Sequence, residues 1–388
     1  MNVLRTVGAI CAVLFLLLLH SPSASAVVGA AAGGGTDSVL QEQAQKSGAG
    51  ALSNQVPESA KKSLNQFGIR SGNASSFAKF TPANLFRMAA GSAASAAKAP
   101  LRAVACVFGI LLCCALLGTL KSTFGEQSLQ GVFDLVAALC IATVILIPVS
   151  QCVSTAAQTI RDSSGFMVSF LPVFSSLAVA SGHPASAVAS ESLLLALSNA
   201  LSGISSSTFV PMVDLYLGFC VVGAVAPGVR IQGVAEFVRS IVSWALLLCL
   251  TIYVGILSVQ GLIANAADNV SIKTAKFVVE GAVPVVGGAI SDAVNTVISC
   301  AGLLKTATGA YAIVVFLFAF LPPLLECLIW MLAVDISLAA ADILGIANLS
   351  GLFKAIREAL KLLMALLAAS ALAMIVSIAV MLLLGMGN

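Results

Sequence analysis

Residues 277–305 hold most of the information about the architecture of this chain. They read Phe277-Val-Val-Glu280-Gly-Ala-Val-Pro284-Val-Val-Gly287-Gly288-Ala-Ile-Ser-Asp292-Ala-Val-Asn295-Thr-Val-Ile-Ser-Cys-Ala-Gly-Leu-Leu-Lys305. The stretch is apolar enough to enter a bilayer, yet a proline, paired glycines and charged side chains interrupt it. In lipid, a broken backbone or a charge must be covered by protein or line a wet cavity. The stretch therefore predicts a membrane protein that does more than anchor itself.

The composition extends this prediction to the whole chain. Of its 388 residues, 59% are hydrophobic and 9% are charged, and the mean hydropathy is +1.06. Soluble domains carry about 25% charged residues. The apolar runs are long and continuous, whereas a β-barrel would show alternation in segments of about ten residues. We predict an all-α, polytopic membrane protein, and the net charge of +3 is too small to indicate nucleic-acid binding.

The first 26 residues have the pattern of a secretory signal peptide. Arg5 supplies the positive start, residues 8–19 are apolar, and Ala24-Ser25-Ala26 is a cleavage motif. An uncleaved signal anchor is the alternative. In both cases the mature N-terminus is predicted to be extracytoplasmic.

The rest of the chain divides into two regions. Residues 27–100 are rich in Ala, Ser and Gly and are predicted to be extracytoplasmic and partly disordered. A short amphipathic helix is expected near residues 82–88. Residues 101–388 are predicted to form the transmembrane domain.

Six segments of this domain are near the roughly 20 residues that a helix needs to cross a bilayer. They are 101–120, 132–150, 209–227, 241–264, 310–334 and 360–384. Two broken regions, 166–203 and 277–304, are predicted to form helical hairpins, either re-entrant or interfacial. With the mature N-terminus outside, the most basic loops fall inside, in agreement with the positive-inside rule.

The two hairpins resemble each other. Leu171-Pro172-Val173 parallels Val283-Pro284-Val285. The match predicts an internal parallel repeat with units 132–228 and 241–334, and chance agreement in an Ala- and Val-rich chain is the alternative. Paired broken segments are typical of a central transport pathway. A second match lies before the fourth and sixth spans, where Gly233 precedes Arg239 as Gly351 precedes Arg357.

The sequence contains no catalytic motif that we can identify. Outside the signal peptide His183 is the one histidine, so a multi-histidine metal site is excluded. Neither a Gly-x-Ser-x-Gly motif nor a phosphate-binding loop is present. The ten cysteines lack a Cys-x-x-Cys pair and are typical of packing residues. We predict a protein that is not an enzyme, with no catalytic, cofactor-binding or metal-binding residues.

Charged and backbone-breaking residues near membrane depth form the candidate pathway set. A transport pathway is one interpretation, and structural ion pairing or contact with headgroups is the other. The set comprises Pro172, Glu280, Pro284, Gly287, Gly288, Asp292, Asn295, Lys305 and Glu326.

Several stretches resemble the stage III sporulation protein AE family of endospore-forming bacteria. They include residues 268–277, Pro284-Val-Val-Gly-Gly, Ser291-Asp292-Ala-Val-Asn-Thr-Val, Gly302-Leu-Leu-Lys305 and Leu120-Lys-Ser-Thr-Phe-Gly-Glu126. The resemblance implies a permease- or export-platform-like core of a channel complex that links mother cell and forespore and is needed for late forespore development. It implies a location in the mother-cell membrane around the forespore. The implied partners are the lipid bilayer, ring-forming proteins of the stage III A complex and a secretion-type ATPase.

Other functions stay open at this point. The chain could be a free-standing, ion-coupled secondary transporter whose hairpins act as gates. It could be a scaffold that seats ring proteins in the membrane and conducts nothing. A channel component of a conjugation-type system is a more distant possibility.

Overall fold

The computed structural model of the chain describes residues 44–67, 82–124, 128–225, 232–282 and 287–383. These residues are helical and include no β-strand, which confirms the all-α prediction. The helices are α1 (Glu58–Phe67), α2 (Pro82–Ala96), α3 (Lys98–Phe124), α4 (Ser128–Ala180), α5 (Pro184–Ile204), α6 (Val210–Val225), α7 (Gln232–Ala282), α8 (Gly287–Ile343) and α9 (Ala347–Leu383). A 3₁₀ turn (Ala49–Asn54) precedes α1, and a π-helical turn (Ser205–Phe209) joins α5 to α6.

Six parts of the described helices are long and apolar enough to cross a bilayer, and each overlaps one predicted span. The prediction of a six-span helical membrane protein is thus confirmed. The apolar parts are Ala90–Leu116, Leu135–Ala180, Pro184–Gly223, Gly233–Gln260, Val297–Ile343 and Leu349–Leu383.

The first predicted hairpin is not a separate element. α4 passes through Pro148 and Pro172 without ending, and α5 begins after a turn in which Gly182 has a φ of 93°. Only glycine adopts such a φ without steric strain, so this position can end the long helix. Both arms of the hairpin are continuous with neighbouring spans, and its depth in the membrane stays a prediction.

The second predicted hairpin is described only in part. α7 ends at Ala282 and α8 begins at Gly287, while Pro284 lies between them, outside the described residues. The proposed repeat likewise stays a prediction. In the first repeat unit a π-helical turn separates α5 from α6. In the second unit the corresponding helix, α8, continues through Pro322 and Pro323.

The antiparallel helices α8 and α9 form the centre of the bundle. They contact each other from the Arg357–Asp335 ion pair to the packing of Leu382 against Gly309. α4 packs on this pair through Phe166 and Phe316, whose ring centroids lie 5.5 Å apart at 78°. α7 packs on it through the Tyr253 hydroxyl, 2.6 Å from Ser377 Oγ. Every other described long helix is therefore positioned against a central helical hairpin.

Part of the N-terminal region also packs on the bundle. Leu52, Val56, Ala60 and Leu64 are buried, and Ala49 lies in an apolar cluster with residues of α4 and α8. α2 begins at Pro82, where a short helix was predicted. The signal peptide and residues 27–43 and 68–81 lie outside the described residues.

The close approach of α8 and α9 predicts a steric requirement at Gly309. A Cβ atom there would lie 2.5 Å from Leu382 Cδ2 and 2.8 Å from Leu382 Cγ. We expect Gly309→Leu to cost about 1–3 kcal/mol of stability through overpacking. The melting temperature of the purified protein in detergent measures this loss.

Gly302, on the same helix, is the matched control because nothing lies within 4 Å of its added Cβ. Gly302→Ala should raise stability by up to about 1 kcal/mol, since alanine favours the helix. Equal melting temperatures for Gly309→Leu and Gly302→Ala would contradict the close helix contact.

Candidate functional site

The outer surface of α4 changes character at Ser150. Before that point the exposed side chains are mostly apolar, such as Leu135, Leu139 and Ile147. From 150 to 161 all exposed residues are polar: Ser150, Gln151, Ser154, Thr155, Gln158 and Arg161. We call these six residues the polar strip.

Between residues 241 and 260 the outer surface of α7 is mostly apolar, with Ser243, Thr251 and Ser258 exposed among the apolar side chains. Trp244 and Leu247 are 66% and 67% exposed, and Ile252 is also exposed. Large apolar side chains that remain exposed in a membrane protein are suited to contact lipid. This surface is the lipid-facing side of the bundle.

The polar strip and the apolar side of α7 stand at similar heights along the central hairpin. The strip begins beside Cys152, which contacts Cys327 of α8, and ends five residues before Phe166, which contacts Phe316. On α7, Tyr253 bonds Ser377, five residues before the leucine that packs on Gly309. These contacts bring Tyr253 level with Phe166. A polar surface level with a lipid-facing one needs water or protein to cover it.

Ion pairs connect three helices near the α8–α9 turn. Glu358 accepts a hydrogen bond from Arg239 Nη1 at 2.7 Å and one from Lys361 Nζ at 2.6 Å. Arg357 Nη1 donates to Asp335 Oδ1 at 3.2 Å. We call these five residues the ion-pair network. It attaches α7 and α8 to the start of α9.

The acidic members of this network were missed by the sequence analysis. Arg239 and Arg357 appeared there as loop charges and as matched repeat positions. Asp335 and Glu358 were not singled out, because their partners come from other helices or, for Lys361, from the next turn of α9. The i, i+3 pair of Glu358 and Lys361 was the available signal.

Lys305 and Glu326 of the predicted pathway set both lie on α8 but do not meet. Lys305 is buried, with Nζ 5.8 Å from the ring centroid of Phe174, a favourable cation–π arrangement. Glu326 is half-buried beside Cys152. The 21 residues between them correspond to about 30 Å along a helix. The structure thus separates these two charges into different environments.

The other predicted pathway residues remain without a structural test. Pro172 is exposed on α4. Glu280 belongs to α7. Four further members of the set belong to α8: Gly287, Gly288, Asp292 and Asn295. The surroundings of these five residues lie outside the described part of the chain. Within the described ranges, no group of three His, Cys, Asp or Glu side chains could hold a metal ion.

The ion-pair network predicts unequal effects of neutralising its two acids. Glu358→Gln leaves both Arg239 and the mostly buried Lys361, whose side chain is 16% exposed, with a weaker partner. We expect a loss of about 1–3 kcal/mol in stability. The loss is read from detergent-solubilised protein by thermal unfolding.

Asp335→Asn is the matched control, because its ion pair is longer and more exposed. Exposed pairs contribute only about 0–1 kcal/mol. The double variant Arg239→Gln with Glu358→Gln should recover part of the stability lost in Glu358→Gln. A larger loss of stability for Asp335→Asn than for Glu358→Gln would contradict the central role of Glu358 in the ion-pair network.

Comparison with known proteins identifies the family of this chain. The chain is 26% identical over 202 residues to stage III sporulation protein AE of Bacillus subtilis (strain 168), and the alignment covers 52% of this chain and 51% of that relative. It therefore spans about half the length of the curated relative. No solved structure matches. The family model of stage III sporulation protein AE matches residues 62–385, which include the second half of α1 and the whole of α2 to α9. Because this match covers most of the sequence, the chain belongs to the stage III sporulation protein AE family.

Proposed function

We propose that this protein is the membrane core of the sporulation channel complex that links mother cell and forespore, with a permease- or export-platform-like role. Membership of the family gives the protein a role in sporulation. The observation that favours a core component is the polar strip on α4. A chain that worked alone would expose this strip to lipid at the height where α7 exposes its apolar surface.

Covering the strip removes an energetic penalty. A charged residue such as Arg161 costs about 2.5–3.5 kcal/mol at the centre of a bilayer by insertion measurements. Gln151 adds an amide group that lipid cannot pair, and Gln158, whose Nε2 donates to Asp162 Oδ1 at 2.7 Å, adds an amide oxygen. Ring-forming membrane proteins of the stage III A complex, or an aqueous path enclosed with them, would satisfy these groups.

The length of α4 supports contact with partners outside the bilayer as well. Its 53 residues correspond to about 80 Å, while the hydrocarbon core of a bilayer is about 30 Å thick. Part of α4 therefore extends beyond the membrane or is covered by protein. We place the hairpin end at Gly182, with the packed N-terminal segment, in the space between mother-cell and forespore membranes.

The opposite end fits the cytoplasmic side of the mother-cell membrane. It carries the ion-pair network and the exposed Lys354, as the positive-inside rule requires. The sequence lacks a phosphate-binding loop, so the energy for transport would come from a partner or from a gradient. We propose that this end faces the secretion-type ATPase. The protein itself is assigned no catalytic reaction.

The polar strip gives the first test of this function. Gln151→Leu with Gln158→Leu should lower the yield of heat-resistant spores at least about tenfold, because a lost interface contact of about 1.4 kcal/mol already weakens assembly tenfold. Copurification of the complex proteins should fall with it. Both are measured in sporulating cells whose only copy is the variant.

Ser243→Leu with Thr251→Leu is the matched control, since both residues are exposed on the apolar side of α7. This variant has the same kind of change in a surface that contacts lipid, and spore yield should stay near wild type. A normal spore yield for the strip variant, at the wild-type protein level, would show that the polar strip is not needed for the proposed function.

The other two functions predict different results. A free-standing transporter would show ion-coupled uptake when the purified protein alone is placed in vesicles. A non-conducting scaffold would tolerate Glu280→Gln, Asp292→Asn and Glu326→Gln without losing spore formation. It would still lose assembly when surface residues are changed.

Cysteine labelling tests the proposed orientation. On a cysteine-free background in non-sporulating cells, where the extracytoplasmic side faces the medium, Ser176→Cys near the hairpin end should react with a membrane-impermeant maleimide in intact cells. Lys354→Cys should react only after the cells are opened, because it lies at the cytoplasmic end. Ile147→Cys, on the apolar part of α4, should react poorly in both. Reaction of Lys354→Cys in intact cells would reverse the orientation.

The same reagent tests the depth of the hairpins. Single cysteines at Val168, Val173, Gly287, Asp292 and Asn295 sample both of them. Matching reactivity in the two hairpins is expected for a duplicated wet pathway. Protection of residues 287–295 from both sides would favour the scaffold function.

A further inference from the structure

One face of α5 and of the π-helical turn after it is built from buried serines. Ser186, Ser190, Ser198, Ser202 and Ser205 are each at most 8% exposed. Their spacing of three, four and eight residues places them on one side of a helix. α5 contacts α4, α7 and α9. The serines therefore face the interior of the bundle.

The neighbouring helices contribute more hydroxyl groups to this interior. The Tyr253 hydroxyl of α7 lies 2.6 Å from Ser377 Oγ of α9, and Ser198 approaches the same phenol. Ser164 Oγ of α4 donates to the carbonyl oxygen of Ser198 at 3.4 Å. We call the whole set the hydroxyl seam: Ser163, Ser164, Ser186, Ser190, Ser198, Ser202, Ser205, Tyr253, Ser370 and Ser377. All of them are buried.

Several seam hydroxyls have no hydrogen-bond partner in the described part of the chain. Their oxygens are Oγ of Ser163, Ser190, Ser205 and Ser370. Hydroxyl groups on helices commonly bond to the carbonyl four residues earlier. Thr143, Thr251 and Ser337 do so in this protein, each at 2.8–2.9 Å. The unpaired seam hydroxyls lack this bond to their own helix.

Unpaired buried hydroxyls are unfavourable, and most proteins avoid them. A row of them on three helices implies a ligand that can both donate and accept hydrogen bonds. The seam groups are uncharged hydroxyls, and each can both donate and accept a hydrogen bond. Buried water meets these conditions, because each molecule typically makes about three hydrogen bonds to otherwise unpaired groups.

The π-helical turn lies at one end of the serine face. It begins at Ser205 and continues with Ser206, Ser207 and Thr208. Single π turns inside helices widen the backbone and are frequent at functional sites. From Ser190 to Ser205 the serine face extends over about 22 Å. The seam is therefore long enough to cross most of a hydrocarbon core.

We infer that the hydroxyl seam binds a file of water molecules between α5 and the helices α4, α7 and α9. The file makes this interface a polar path inside the bundle. Its occupancy by water is independent of sporulation, whereas its use by the channel complex rests on the function proposed above.

Thiol reactivity tests the inference on the purified full-length chain. Ser205→Cys and Ser370→Cys are introduced one at a time on a cysteine-free background and exposed to methyl methanethiosulfonate, a small uncharged thiol reagent. The control is Ala368→Cys on α9, because Ala368 is buried and stands two residues before Ser370, on the opposite side of the same helix. Seam cysteines should react at least about tenfold faster than the control, since water carries the reagent and favours the thiolate. Rates equal to that of Ala368→Cys would overturn the inference.

A second measurement covers the case in which the cysteine variants do not fold. Ser163→Ala, Ser205→Ala and Ser370→Ala remove unpaired hydroxyls without adding volume. In a dry seam each change removes a penalty and raises the melting temperature. In a wet seam each removes a water ligand, so the melting temperature should stay equal or fall by a few degrees. A rise in all three variants would refute water binding.

These outcomes separate the seam from the channel function. Fast reaction of the seam cysteines together with normal spore yield from the α4 strip variant would support water in the seam and contradict the proposed channel-core function. Slow reaction of the seam cysteines together with spore loss from the strip variant would contradict water in the seam and support the channel-core function.

Discussion

The absence of water in the bilayer core is the constraint on which this structure depends. Backbone groups there must be paired within the protein, and continuous helices achieve this without outside partners. The described chain follows the rule closely, since α4, α7 and α8 each exceed 50 residues. Even Pro172 and the Pro322-Pro323 pair stand inside helices. The remaining polar side chains then have to find partners on neighbouring helices, and the ion-pair network and the Tyr253–Ser377 contact are two such solutions.

The central hairpin of α8 and α9 organises these solutions. It is the most buried part of the bundle, and the other long helices are arranged around it. Its packing allows little freedom at Gly309, while its turn carries Gly345 with a φ of 71°. Because the central hairpin supplies most of the packing, the outer surfaces of the surrounding helices can differ in the side chains that they expose. α7 presents apolar side chains and α4 presents the polar strip, so the molecule has two chemically different sides.

Much of the architecture was predictable because hydropathy reports directly on membrane crossing. All six spans were found, although residues 132–150, 241–264 and 310–334 proved to be parts of the longer helices α4, α7 and α8. The error had a physical reason: Pro172 was interpreted as a break, but a helix within a bundle tolerates proline when neighbouring groups satisfy the freed carbonyl. α4 ends at Ala180, just before a turn in which the positive φ of Gly182 requires glycine. Contacts between distant helices, such as Arg239 with Glu358, leave little trace in a single sequence. The serine spacing of α5 was visible, but the sequence did not show that other hydroxyls would face it.

The packing of residues 44–64 bears on the order in which the protein is made. Ala49 shares an apolar cluster with Leu177 and Leu304, so its contacts join the beginning of the chain to residues synthesised much later. The segment cannot occupy its final place until α8 exists, and contacts of such long sequence separation form slowly. Burial of Ala49 and Leu52 therefore marks a bundle whose long helices are complete. A protease that cuts near these residues would distinguish finished molecules from nascent ones.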